Sequence, residues 1–117
     1  MLKCRICGKK LSDDSFERLV THASEHEEVL MDYLASSEFY RDLNALAELF
    51  YSELFYPENN TVICKLCEEI VNNYTPDMME HIFEHHAREV WDLFTDELFY
   101  FYERWLKARI WDYYDEV

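Results

Sequence analysis

KCRICGKK (residues 3–10) and ICKLCEEI (residues 63–70) are each followed by a histidine pair, in LVTHASEHEE (residues 19–28) and MMEHIFEHHARE (residues 78–89). These four stretches decide the fold. Each cysteine stretch with the histidine stretch after it brings two cysteines three residues apart, then two histidines one helical turn apart. Two cysteines on a tight knuckle supply one edge of a tetrahedron. Two histidines at i and i+4 share one helix face and supply the opposite edge. Zinc prefers such a set of four thiolate and imidazole ligands. The expected ligands are Cys4, Cys7, His22 and His26 for one ion, and Cys64, Cys67, His81 and His85 for a second. His86 competes with His85, because the spacing to the last histidine is tolerant. The three-residue spacer of the first set favours His85. A disulfide or a redox dithiol would leave the histidine pairs unexplained. Four protein ligands close the coordination shell, so both Zn²⁺ ions are expected to be structural.

Outward from the ligands, the sequence repeats. Cys4 and Cys7 correspond to Cys64 and Cys67 at an offset of 60, and His22 and His26 to His81 and His85 at 59. Asp32 corresponds to Asp92, and Phe39-Tyr40 to Phe99-Tyr100, again at 60. Two units follow, residues 1–56 and 61–117, joined by a linker at 57–60. Each reads as a hairpin around the cysteine knuckle, a helix carrying histidines, and a further long helix. Gly8, the only glycine, suits a knuckle position with positive φ. Thr75-Pro76-Asp77 is a helix start, with proline in the first turn and an acid at the positive end of the dipole. Ser12 or Ser15 could cap the first finger helix. The extension helices are expected near 37–56 and 95–114. One glycine and two prolines in 117 residues imply long helices and short connections.

The spacing resembles the CCHH (two-cysteine, two-histidine) zinc finger, a ββα module, in two tandem copies. Leu2 and Val62, two residues before the first cysteines, stand where that family carries an aromatic. Leu11 and Val71 match its mid-finger hydrophobic position, and Leu19 and Met78 its leucine three residues before the first histidine. The resemblance covers residues 1–26 and 61–85. The middle spacers are longer than the family's twelve residues, some 35 residues replace its short linker, and the extension helices lie outside the module. The resemblance implies two ββα zinc-finger units; with the long helices read after each, the expected fold is mainly α with small β-hairpins, each unit extended by a long helix and the two packed as one body. In style, the glycine-poor, doubled layout also resembles small proteins of archaeal viruses and plasmids.

The charge points away from ordinary DNA reading. The chain carries a formal net charge of −14, which repels nucleic acid and anionic membrane and attracts basic partners. The family's base-reading positions would be Ser15, Arg18 and Thr21 in the first finger, but Tyr74, Asp77 and Glu80 in the second. Only residues 1–20 are net basic, with five cations against three acids. Lys3, Arg5, Lys9, Lys10 and Arg18 are therefore the candidate nucleic-acid contacts. Near the end, Tyr100, Trp105, Trp111 and Tyr114 lie in an aromatic helix whose rings exceed what one face buries, which makes them candidate anchors for a protein partner or a homodimer. No serine elbow, phosphate loop or open metal site marks an enzyme. The expected function is a zinc-binding regulator that engages a protein with a basic surface, as an inhibitor or DNA mimic. The alternative is a transcription regulator reading DNA through the first finger. No apolar run of about 18 residues suggests a membrane span, and an intracellular setting, cytoplasmic or nuclear, is expected.

Overall fold

In the computed structural model, residues 1–12 and 15–117 are described. The chain is mainly helical with two small antiparallel sheets. In chain order the elements are β1 (Leu2–Cys4), β2 (Lys10–Leu11), α1 (Phe16–Ser24), α2 (Glu27–Leu34), α3 (Ser37–Ala45), α4 (Ala47–Leu54) and β3 (Phe55–Glu58). Then follow β4 (Thr61–Cys64), β5 (Ile70–Asn72), α5 (Thr75–His85), α6 (Ala87–Leu93), α7 (Thr95–Ala108), a 3₁₀ turn (Ile110–Tyr113) and β6 (Tyr114–Glu116).

The hairpins and finger helices form where the sequence places them. Gly8 adopts φ 77°, and its N–H donates to the Cys4 carbonyl at 2.9 Å. In the second knuckle Glu68 takes the same role with φ 64°, donating to the Cys64 carbonyl at 2.7 Å. Pro76 occupies the first turn of α5, where a missing N–H costs nothing, and Asp77 follows it. Ser36 caps α3, its hydroxyl accepting from the Phe39 N–H at 3.2 Å.

The long extension helices are shorter than expected. His86 (φ −134°, ψ 20°) separates α5 from α6. Of the extension helices, the first breaks at Leu46 (φ −110°, ψ 23°), which ends α3 and starts α4, and the second ends at Ala108, before Arg109 (φ −121°, ψ 14°). All three sit in the sparsely populated bridge region, which any side chain can enter without glycine or proline. That is why the breaks leave no mark in composition. The linker expected at 57–60 is instead the end of a strand and a hairpin turn: Glu58 pairs with Thr61, and Asn59 turns with φ 57°. Each sheet therefore has a third strand. The orders are β2-β1-β6 and β3-β4-β5, with the cysteine-bearing strand central in both.

The chain divides into two compact units, residues 1–33 with 99–117, and residues 34–98. These differ from the sequence repeats 1–56 and 61–117: each unit joins the finger of one repeat to the extension of the other. In the first unit Tyr33 is fully buried, its ring centroid 5.4 Å from both Tyr102 and Trp105. In the second, Phe39 and Phe50 are fully buried, and Phe50 meets Phe94 edge-on at 5.1 Å. Each such side chain contributes about 1.5–3 kcal/mol through burial, so the helices hold because of these contacts rather than propensity. No helix among the described residues is long and apolar enough to cross a membrane.

Candidate metal centres

Both fingers gather four ligand atoms. In the first, the side chains of Cys4, Cys7, His22 and His26 bring one ligand atom each within 4.8 Å of all the others. The edges are 3.6 Å from Cys4 Sγ to His26 Nε2, 3.3 Å from Cys7 Sγ to His22 Nε2, and 3.4 Å between the two Nε2 atoms. A regular tetrahedron with Zn–S near 2.3 Å and Zn–N near 2.05 Å has S···N edges of about 3.6 Å and an N···N edge of about 3.4 Å. The observed edges fit a zinc ion at the centre.

The second group is Cys64, Cys67, His81 and His86. Cys67 Sγ lies 3.4 Å from His81 Nε2, again a tetrahedral edge. The expected fourth ligand, His85, is corrected to His86. His85 ends α5 and is exposed, whereas His86 is 6% exposed. In a continuous helix, the fifth residue on from His81 would point about 140° away from it. The break at His86 removes that obstacle by turning the backbone, and the two rings come to 5.1 Å. His26 lies at the matching place, between α1 and α2. The pairing His26 with His86 restores the offset of 60 shared by the cysteines, Asp32 and Phe39, a signal present in the sequence.

The buried Nε2 of His86 has no hydrogen-bond partner among the described residues. A buried nitrogen left so would cost roughly 1–3 kcal/mol, and a cation at the centre of the group removes that cost. The other ring nitrogen, Nδ1, lies 2.8 Å from Glu89 Oε1. His81 Nδ1 lies 3.6 Å from Glu69 Oε2. The carboxylate on His86 Nδ1 favours the tautomer that leaves Nε2 free to ligate, whereas Glu69 stands off His81 Nδ1 at ion-pair distance, beyond hydrogen-bond range.

The protonation of His22 and His81 suits metal ligation, whereas burial holds the Cys64 thiol in its neutral form. Burial holds the His22 pKa below its ordinary value, helped by His26 and Lys9. Burial lowers that of His81 too, with His86 and His85 adding to it. Both imidazoles thus favour the neutral, ligating form. Burial pushes the Cys64 thiol up, so a thiolate there calls for a compensating cation. Four protein ligands per centre leave no open coordination position, so each group could hold a metal ion for structure.

The other candidate residues scatter. Lys9 and Arg18 line one groove with Leu11, Thr21, His22 and Glu25. Lys3 and Lys10 are exposed on their strands. Arg5 is engaged, donating to Asp115 Oδ1 at 2.8 Å and to the Asp112 carbonyl at 3.0 Å. Of the four candidate aromatic anchors, Tyr100 and Trp111 are exposed. Trp105 and Tyr114 are corrected to core residues: both are buried, and the Tyr114 hydroxyl donates to the Leu19 carbonyl at 2.6 Å. Sequence reasoning missed a groove of about 310 Å³ on the second finger, lined by Glu69, Asp77, Glu80, Glu84 and His85 among others. Compared with family models, curated proteins and solved structures, the chain matches none.

Proposed function

We propose that this is a non-enzymatic, zinc-stabilised binding protein that docks a basic protein partner on its second finger, acting as an inhibitor or DNA mimic. The observation that carries this reading is the groove beside His81. It lies between the second hairpin strand and the finger helix, where a nucleic-acid reader would present donors. Here it presents Glu69, Asp77, Glu80 and Glu84. Carboxylates at those places repel phosphate and suit lysine or arginine. The net charge of −14 adds long-range attraction to a basic surface.

A second reading rests on the matching groove of the first finger, where Lys9 and Arg18 flank Thr21. It would make that finger a DNA contact. Fluorescence anisotropy with random duplex DNA, from about 50 to 200 mM salt, separates the two, because phosphate contacts lose most affinity over that range. The protein-partner reading expects no binding at the low-salt end. Binding that falls steeply with salt, and falls further with Lys9→Glu or Arg18→Ala, would overturn it in favour of the second.

A further inference from the structure

We propose that each metal centre latches the tail of the opposite sequence repeat, so that neither repeat completes its own finger. The inference rests on metal binding at the two Cys-Cys-His-His groups. Its basis is a pair of matching contacts. In the first unit β6 lies along β1, with Cys4 opposite Tyr114, and the N–H of Arg5 donates to the Tyr113 carbonyl at 2.8 Å. In the second unit β3 lies along β4, with Cys64 opposite Phe55, and the N–H of Lys65 donates to the Leu54 carbonyl at 2.7 Å. In both, the residue after the first cysteine seizes the tail where it turns from helix into strand.

The tail in turn closes over the ligand. Cys4 and Cys64 are both fully buried, at the ends of the central strands. Tyr114 reaches past Cys4 to the finger helix, and Arg5 clamps Asp115 on the same strand. The strands β1 and β2 are three and two residues long, too short to persist without an anchor. The metal supplies it by tying β1, through Cys4, to His22 on α1. Without the ion, β1 loses its fixed position, and the edge that receives β6 goes with it. By the same reasoning, the ion on Cys64 holds β3 and the helices α3 and α4 that lead into it. The partner each open finger fits is thus the tail of the other repeat.

Amide hydrogen exchange on the zinc-loaded full chain tests this, with zinc counted by native mass spectrometry. Cys4→Ser should lower the zinc count from two to one. It should speed exchange at least about tenfold in residues 102–116, while residues 37–54 stay protected. Cys64→Ser should reverse the pattern. Loss of protection in residues 37–54 on Cys4→Ser, alone or with 102–116, overturns the latch while leaving the metal reading intact. A wild-type count of zero overturns both. A second measurement uses a protease site inserted between Asn59 and Asn60, both exposed. Cut and zinc-loaded, the two pieces should remain one complex and part on chelation. Pieces that separate with one zinc each would overturn the proposal.

Discussion

The two fingers share a ligand chemistry and a knuckle geometry, yet differ in surroundings and in spacing. Beside His22 the groove carries Lys9 and Arg18, whereas beside His81 it carries Glu69, Asp77, Glu80 and Glu84. The first histidine pair is four residues apart and the second five. A closed four-ligand zinc shell would explain how both groups could hold an ion. The ion demands four atoms at the corners of a tetrahedron and is indifferent to the route by which the backbone delivers them. Residues around the shell are then free to diverge in charge. What remains common is the helix break just after the finger helix, at His26 and at His86. The comparison teaches that this break, rather than the helical i to i+4 spacing, places the last candidate ligand.

The largest expected effect tests that point. Replacing His86 with alanine should lower the zinc count from two to one and unfold the second unit, as His26→Ala should for the first. Structural zinc in such small modules is worth on the order of 10 kcal/mol, comparable to the whole stability of a typical single domain. His85→Ala should retain both ions and change stability by no more than about 0.5 kcal/mol, as ordinary surface changes do. Metal titration and thermal melting read all three. A lost ion on His85→Ala, with His86→Ala silent, would restore the uniform spacing and break the comparison.

The next effect is smaller and sharpens the difference in surroundings. Glu89 holds His86 through Nδ1 at 2.8 Å. Glu89→Gln removes the charge but keeps a group able to accept a hydrogen bond. Second-sphere changes of this kind typically weaken metal affinity by about 10- to 100-fold. Competition with a chromophoric chelator should show that loss at one of the two sites and leave the other unchanged. Equal loss at both, or at neither, would mean that the carboxylate does not tune the second centre.

Seven of the eight candidate ligands were legible because cysteine and histidine spacing is local. So were the two-stranded hairpins and the proline in the first turn of α5; the cap was not, since the residue before the helix is Tyr74, one before Thr75, and its side chain makes no capping hydrogen bond. The eighth candidate ligand was legible only through the repeat. Counting from Asp32 and Asp92, or from Phe39 and Phe99, returns the offset of 60 that selects His86, whereas counting from His22 and His81 selects His85. The third strands were not legible. Tyr114–Glu116 pairs with residues more than 100 positions away, and no short-range pattern specifies such a partner. Phe55–Glu58 pairs close by, across Asn59-Asn60, but its proline and acid read as a linker. The buried state of Trp105 and Tyr114 follows from the same gap. Their rings read as surplus until the first finger is seen to pack against residues 99–117.

The smallest expected effect lies in the knuckles. Gly8 and Glu68 adopt nearly the same left-handed conformation, φ 77° and 64°. A side chain there costs roughly 1–2 kcal/mol, and glycine does not bear that cost. A methyl on Gly8 would meet only the flexible end of Lys3 at 3.7 Å, so backbone conformation alone decides the outcome. Gly8→Ala should destabilise the first unit by about 1 kcal/mol. Glu68→Gly should stabilise the second by somewhat less, because glycine also gains freedom in the unfolded chain. Denaturant unfolding at fixed free zinc measures both. Glu68→Gln separates backbone from charge, since it neutralises the carboxylate but keeps the side chain at positive φ. If glutamine stabilises as much as glycine, relief of charge crowding near Glu69 is the cause, and the knuckles differ in electrostatics rather than strain.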